Sequence, residues 1–277
     1  MKTLILGDTG RLGSAFKEYL RVNKKKYFII KRKKNLLKDF KNILKKKPDL
    51  VINCIAETNV DLCNQNLLLA LKTNTELVKN FINIMIKLKY KKKFIHISTD
   101  QIYNSEDSRI KNKENNIKLS NNYSISKYLG ELEAKKYKNT IIVRTNFFGK
   151  SLTSRPSYSD YIIRKLKFGK INAPSNVYFN PIHVNELVEK IILLSKKTNK
   201  GIFNIGSSSF ISKYQFVKRI AKLYNLNVKD VISFKSSYLV NKRPLGTIMN
   251  LEKLQKALKD KTSNINNSIL RLKKYKI

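Results

Sequence analysis

A tyrosine and a lysine stand four residues apart in the run Tyr123-Ser124-Ile125-Ser126-Lys127. On a helix that spacing puts both side chains on one face. A free phenol titrates near ~10, too weak an acid for easy work at neutral pH. A neighbouring ammonium favours the phenolate and lowers that value. The pair can then give or take a proton at a carbinol carbon. The spacing alone says little in so lysine-rich a chain, since Tyr27 also has Lys31 four residues on. Position says more: Tyr123 opens a helix after the fourth strand of the pattern set out below. That strand ends in Ile97-Ser98-Thr99-Asp100-Gln101, where a hydroxyl can hydrogen-bond a substrate carbonyl beside the tyrosine. His96 lies on the opposite face of the strand from Ile95 and Ile97 and reads as a packed or hydrogen-bonded histidine, not a catalytic one.

A second constellation is Gly7-Asp8-Thr9-Gly10-Arg11-Leu12-Gly13, which follows an apolar strand and opens a helix. Three of the chain's nine glycines fall in this turn, although the spacing is G-x-x-G-x-x-G and not the usual G-x-G-x-x-G. Glycine allows the tight turn and lets backbone N–H groups approach a pyrophosphate. The helix N-terminus then holds negative charge with its dipole. This predicts a dinucleotide site. A site that prefers NAD has an acid at the end of the second strand for the ribose hydroxyls. Here the run is Lys31-Arg32-Lys33-Lys34. The missing acid, together with Arg32 and with Arg11 in the glycine loop, favours the 2′-phosphate of NADPH over NADH.

These residues need a sheet to position them. The first 145 residues alternate strand and helix: a strand Thr3 to Leu6, a helix Arg11 to Val22, a strand Tyr27 to Lys31, and a short helix Phe40 to Leu44. A strand Leu50 to Ile55, a helical segment Leu67 to Leu88, a strand Phe94 to Ser98, a polar loop Asn104 to Asn121, a helix Tyr123 to Lys136 and a strand Thr140 to Arg144 follow. Short β-branched runs separated by helices mean a parallel sheet buried on both faces, and right-handed crossovers make it doubly wound. After about Asn146 the rhythm changes. Helices are expected at Asp160 to Lys167, Val184 to Leu194, Lys213 to Tyr224 and Leu251 to Leu258, with a strand at Gly201 to Gly206. The expected fold is α/β, a Rossmann-type doubly wound sheet over residues 1–146 with a smaller α/β substrate lobe over 147–277, of which about 180–200 return to the first domain.

Composition excludes several classes. Among 277 residues, 42% are apolar and 10% aromatic, too many for a disordered chain. No run approaches the ~18 apolar residues of a membrane span. Met1 leads into a strand and a glycine loop, not a signal peptide, so a cytoplasmic protein is expected. Cys54 and Cys63 are the only cysteines, and His96 and His183 the only histidines. A disulfide scaffold and a cysteine or local two-histidine metal site are excluded by count, and no metal is expected. The formal charge is +39, from 58 Lys+Arg against 19 Asp+Glu. Basic clusters recur in nearly every segment, among them Lys24-Lys25-Lys26, Lys45-Lys46-Lys47 and Lys91-Lys92-Lys93. Such dispersal is a compositional bias, not a nucleic-acid footprint, though its field favours anionic ligands.

Gly7 to Gly13, Asn53-Cys54-Ile55-Ala56, Ser98-Thr99-Asp100 and Tyr123-x-x-x-Lys127 together resemble an extended short-chain dehydrogenase/reductase. Within it the chain is most similar to the dTDP-4-dehydrorhamnose reductase family and its sugar-nucleotide-modifying relatives. Asp39-Phe40, Thr58-Asn59-Val60-Asp61, Val143-Arg144-Thr145, Ser212-Lys213-Tyr214-Gln215-Phe216 and Arg243-Pro244 carry the resemblance over most of the chain. It implies that Gly10, Arg11 and Leu12 contact the cofactor pyrophosphate, and Asp39 and Phe40 the adenine side. Ala56, Glu57 and Thr58 would line the nicotinamide ribose. Tyr123 would be the proton donor, Lys127 its partner and a ribose ligand, and Thr99 would orient the carbonyl. Thr99, Asp100, Asn146 and Arg243 would meet the substrate, a nucleotide-diphosphate sugar reduced at a keto group. The resemblance leaves a homodimer open. Two departures fall on the sugar pocket: Gln101 stands where the family often has Tyr, and Asn146-Phe147-Phe148 where it often has Trp. Two other readings of the same scaffold stay open, an epimerase or reductase on another nucleotide sugar and a non-catalytic relative like the regulatory subunit of methionine adenosyltransferase.

The cofactor reading yields an outcome. NADPH binds more tightly than NADH, and Arg32→Ala narrows the gap. Titration of both cofactors by fluorescence checks it; equal affinities in the unmutated protein contradict it.

Overall fold

The computed structural model describes residues 1–30, 35–105, 107–154, 156–237 and 243–274. Contacts divide the chain into two compact units. One comprises Met1–Thr99, Asn121–Arg144 and Ile191–Phe203, the other Asp100–Ser120, Thr145–Lys190 and the chain from Asn204 onward.

The first unit holds strands β1 (Thr3–Leu6), β2 (Tyr27–Ile29), β3 (Leu50–Asn53), β4 (Lys93–Thr99) and β5 (Thr140–Thr145). With β10 (Gly201–Ile205) they form one sheet in the order β10-β5-β4-β3-β1-β2. β1 runs parallel to β2 and β3, and β3 parallel to β4. Leu4, Ile5, Leu6, Val51 and Ile52 are all fully buried, as a sheet covered on both faces requires. Helix α1 (Arg11–Val22) starts and stops where its periodicity predicts. Helix α2 (Leu36–Leu44) begins four residues ahead of the expected Phe40. Phe40 then sits wholly in the core, its ring 4.7 Å from that of Phe81. β2 ends at Ile29; Lys31 and Arg32 lie outside the described residues.

Two features between β3 and β4 depart from expectation. A short helix α3 (Val60–Gln65) precedes the long one, capped by the Asn59 side chain, which accepts from the Leu62 N–H. The expected helix Leu67 to Leu88 is three pieces: α4 (Leu67–Leu71), a π-helical turn (Lys72–Glu76) and α5 (Leu77–Lys87). A π turn widens one loop of an otherwise ordinary helix, so the apolar spacing on either side still looks continuous.

Helix α6 (Asn122–Lys135) packs on this π turn at Gly130, where a Cβ would lie 2.1 Å from the Asn74 carbonyl oxygen. No side chain larger than hydrogen fits there. On the sheet side α6 buries Glu131, whose carboxylate accepts from Arg144 of β5 in a fork, Nε to Oε1 at 2.9 Å and Nη2 to Oε2 at 2.6 Å. Both side chains are at most 1% exposed.

Among the described residues the second unit is built from short strand pairs and helices. β6 (Phe147–Phe148) runs parallel to β9 (Ile182–His183), β7 (Ile171–Pro174) parallel to β12 (Val231–Phe234), and β8 (Tyr178–Phe179) antiparallel to β11 (Ile211–Ser212). Helix α7 (Tyr158–Phe168) opens with a Ser157/Asp160 capping box. Helix α9 (Lys213–Leu223) brings Phe216 into the core, where Phe148 and Phe179 meet it edge-on at 5.0 and 5.4 Å. A terminal helix, Ile265–Lys274, was not expected, although buried Ile265, Ile269 and Leu272 repeat at helical spacing. The expected helix Val184 to Leu194 extends to Lys197 as α8. No helix among the described residues is long and apolar enough to cross a membrane.

The Arg144–Glu131 pair generates a stability prediction. Removing one partner of a buried ion pair leaves an uncompensated charge and costs about 3–5 kcal/mol, while replacing both with apolar groups is often neutral. Arg144→Met alone is therefore strongly destabilising, and adding Glu131→Leu recovers most of the loss. Urea unfolding measures both; a single variant within about 1 kcal/mol of the unmutated protein would contradict this.

Candidate active site

The glycine turn has the geometry that close backbone approach demands. Gly7 has φ +83°, and its absent Cβ would sit 3.0 Å from the Ile55 backbone nitrogen, so the turn lies against the end of β3. The Gly10 N–H donates to the Gly7 carbonyl at 3.0 Å. A Cβ on Gly13 would lie 2.1 Å from that same carbonyl oxygen, so only glycine lets α1 come this close. Gly10 is the N-cap, no side chain caps it, and the first turn of α1 carries no acid. The N–H groups of Arg11, Leu12 and Gly13 thus open a helix end whose positive pole is not neutralised from within. Thr9 is exposed and Leu12 buried. Asp8 is buried, 3.8 Å from the Lys17 ammonium. These residues fit a dinucleotide pyrophosphate: Gly7 takes a positive φ, Gly13 has no room for a Cβ, and the donors are backbone.

On α6 the capping box orders the first turn. The Asn121 side chain accepts from the Ser124 N–H, and the Ser124 hydroxyl from the Asn121 N–H. Tyr123 lies in that turn, packed with Val60, Cys63 and Ala70. One turn on, Lys127 is 2% exposed and donates from Nζ to the Ile97 carbonyl at 2.7 Å. Burial pushes the Lys127 ammonium down to about 8, and the Glu131 carboxylate offsets part of that push. Tyr123, Lys127 and Glu131 thus form one row at four-residue spacing. Thr99 is the last residue of β4, two residues beyond the carbonyl that holds Lys127, and is buried.

The loop after β3 is held by Asn74 in the π turn. The Asn74 side chain accepts from the Glu57 N–H at 2.9 Å and donates to the Glu57 carbonyl at 3.1 Å and to the Ser126 hydroxyl at 3.0 Å. Its amide thus ties the Ala56-Glu57-Thr58 loop to α6. Thr75 adds a bond to the Ser126 carbonyl. The structure therefore brings the glycine turn, the 56–58 loop, Thr99, Tyr123 and Lys127 together in one unit.

His96 is buried and pairs with its register partner Asn53, Nδ1 to Nδ2 at 3.3 Å. The Asn53 oxygen accepts from the Ile55 N–H, so its nitrogen faces the ring. Nδ1 is then the acceptor and Nε2 carries the proton. Burial, with the Lys127 charge behind it, holds the ring well below its usual range. It is neutral at physiological pH, in keeping with its reading as a packed strand histidine. Burial raises both the Cys54 and Cys63 thiols, which makes them poor nucleophiles. Among the described residues no three His, Cys, Asp or Glu are grouped to hold a metal.

The other predicted residues are dispersed more widely. Asp39 lies in the first turn of α2, and the Phe40 ring is enclosed by the core and offers no free face to adenine. In the second unit the Asn146 amide donates to Asp100 at 2.9 Å. Arg243 lies within electrostatic reach of Lys213: burial lowers the Lys213 ammonium, the Arg243 charge lowers it further, and Asp100 counters. Sequence reasoning passed over Glu131 and the Ile97 carbonyl. For Glu131 the signal was present, since it continues the Tyr123–Lys127 row by four residues; a backbone carbonyl leaves no such trace.

Comparison with known proteins adds the family. The chain is 24% identical over 253 residues to the spore coat polysaccharide biosynthesis protein SpsK of Bacillus subtilis, covering 88% of this chain and 86% of that protein. Its structure is similar to that of dTDP-4-dehydrorhamnose reductase from Bacillus anthracis in complex with NADP, with a TM-score of 0.89 and 21% identity over 99% of each chain. A dTDP-4-dehydrorhamnose reductase of Clostridium acetobutylicum superposes with a TM-score of 0.85 and 22% identity, again over 99% of each chain. The RmlD substrate binding domain matches residues 1–274, and the chain belongs to that family.

Proposed function

We propose that this protein reduces the 4-keto group of a nucleotide-linked deoxysugar at the expense of NADPH, with dTDP-4-dehydrorhamnose as the best-suited substrate and dTDP-rhamnose as its product. The observation that carries this reading is Lys127, buried one turn from Tyr123 and fastened to β4 two residues before Thr99. An ammonium is expensive to bury, and in this reading its charge serves the phenol one helical turn away. Family membership supports the reading, as do the NADP in the Bacillus anthracis enzyme and the polysaccharide-biosynthesis role named for the Bacillus subtilis relative.

The parts act as follows. The turn from Gly7 to Gly13 binds the cofactor pyrophosphate through backbone N–H groups and the dipole of α1. Arg11 and Arg32 answer the 2′-phosphate. Asp39 and the Phe40 backbone lie on the adenine side, and Ala56, Glu57 and Thr58 on the nicotinamide ribose. The nicotinamide, when bound, supplies the hydride. Thr99 donates a hydrogen bond to the keto oxygen and fixes its orientation. Tyr123 passes its phenolic proton to that oxygen as it becomes a hydroxyl. The Lys127 charge stabilises the phenolate left behind. Asp100, Asn146 and Arg243 hold the sugar and its diphosphate.

NADPH oxidation against a panel of nucleotide-linked 4-keto sugars tests the proposal; no turnover with any of them refutes it. Tyr123→Phe keeps the ring and the fold but removes the transferable proton. A positioned general acid is worth typically ~10²–10⁴-fold, so single-turnover reduction falls by about that much while NADPH still binds. Near-normal turnover would place the proton donor elsewhere.

The Lys127 ammonium gives a pH signature. Its folded value, about 8, lies below the ~10.4 of an unfolded lysine. Below pH 8 the charge is present in both states, and burying it costs stability. Between about 8 and 10.4 the unfolded state binds more protons than the folded one, so unfolding free energy rises with pH. Activity runs the other way: kcat/KM shows a basic limb near 8, as the field on Tyr123 is lost. Lys127→Met removes both pH effects, lowers turnover and weakens NADPH binding, yet melts no lower than the unmutated protein at pH 7. Paired pH profiles of kcat/KM and of urea stability measure this; a kcat/KM profile flat to pH 9.5 would contradict it.

A further inference from the structure

Tyr123 sits at the weakest part of its helix. The first turn of an α-helix has N–H groups without intrahelical partners, and helix ends fray. In α6 the first internal bond is Ile125 N–H to the Asn121 carbonyl. The capping box satisfies the N–H groups of Ser124 and Asn121; of the two first-turn N–H groups it does not reach, one is that of Asn122, the residue before Tyr123. It goes outside the helix. The Asn122 N–H donates to the Asn64 side-chain oxygen at 3.1 Å, and the Asn122 side-chain amide donates to the Asn64 backbone carbonyl at 3.2 Å. Asn64 belongs to α3, 58 residues earlier in the chain. The same short helix lays Val60 and Cys63 against the Tyr123 ring. At its other end, Glu57 just ahead of α3 is held through both backbone polar groups by Asn74.

We propose that Asn64 is a positioning residue for Tyr123: from α3 it clamps the first residue of α6 at two points, and so fixes where the phenol of the next residue lies. The inference rests on the reading of Tyr123 as proton donor. A general acid must be held within about 0.5 Å of its productive place, and a misplacement of ~1 Å can cost ~10²-fold. Val60 and Cys63 of α3 pack with Tyr123, and Asn64 of the same helix hydrogen-bonds the residue before it. The backbone half of the clamp survives any substitution at 64. The side-chain half needs only an acceptor, so aspartate serves where leucine, of similar size, does not. An aspartate there also lies at the positive end of α6, which tolerates it.

Two variants, Asn64→Leu and Asn64→Asp, are compared with the unmutated chain by three measurements: hydrogen exchange of the Asn122 and Tyr123 amides, NADPH affinity, and single-turnover NADPH oxidation with a nucleotide-linked 4-keto sugar. The expected result for Asn64→Leu is exchange at those amides faster by about tenfold or more, turnover lower by about 10- to 100-fold, and NADPH affinity within twofold, because the glycine turn is untouched. Asn64→Asp restores slow exchange and most of the turnover. Turnover that survives in Asn64→Leu despite fast exchange overturns the proposal. So does a loss shared equally by NADPH affinity and global stability, which marks a merely structural residue, and so does failure of aspartate to rescue. If the unmutated protein turns over no keto sugar, the functional reading fails by itself. The exchange measurement then decides the clamp alone: faster exchange in Asn64→Leu supports it and unchanged exchange overturns it.

Discussion

A charge goes into a protein interior only where something answers it, and helix α6 takes two charges inside. Lys127 meets the Ile97 carbonyl, and Glu131 meets the fork of Arg144. Because Glu131 is bidentate to a planar guanidinium, α6 has little freedom to rotate or slide on β4 and β5. Lys127 and Tyr123 lie on the same row, so the ion pair that holds Glu131 also sets their heights above the sheet. Helix propensity and apolar contact alone leave such a register loose, since α6 buries a face of serine, glycine and charged residues among few large apolar ones. The polar anchors do the placing, and the close approach at Gly130 against the Asn74 carbonyl limits how far the helix tilts.

The same economy of small groups appears on the other side of the sheet. Gly7 and Gly13 bring a helix N-terminus against a strand end with no room for a Cβ, so the donors presented there are backbone N–H groups held by the fold itself. Amide side chains tie the rest. Asn74 mimics a strand partner for Glu57, and Asn64 supplies a missing acceptor to α6. A π turn is what carries Asn74 to its place. Helices widened in this way are frequent at functional sites, because the extra residue re-aims one side chain without ending the helix.

The +39 charge belongs to a different account. Lys24, Lys47, Lys89 and Lys259 all occupy left-handed backbone conformations, with φ between 48° and 52°. Lys24 and Lys89 follow helices α1 and α5, in positions where glycine is the usual choice because it has no Cβ to strain. A chain that accepts lysine even there, at roughly 1–2 kcal/mol each, is using lysine as a default residue. That is the pattern of a compositional bias and not of a surface shaped for one large anionic partner.

Much of the first unit was legible in the sequence. Short apolar runs marked the five strands, the glycine turn marked the start of α1 to the residue, and Tyr123 and Lys127 stood out as a pair by their spacing together with their place after the fourth strand. Local chemistry decides these, because each depends on neighbours within one helical turn or one strand. What the sequence left out depends on distant partners. The π turn at Lys72–Glu76 has no signature in a 3.6-residue pattern. The early start of α2 and the two-residue strands of the second unit are decided by packing. Asn64 reads as one more asparagine in an asparagine-rich chain until α6 is brought to it from 58 residues away, and the Lys127 carbonyl partner belongs to backbone, which carries no residue type. Sequence determined which chemical groups this protein owns and on which elements they ride. Tertiary structure alone decided which of them are buried and which meet, and this is what holds the Lys127 ammonium down near 8 and sets Asn64 against the first residue of α6.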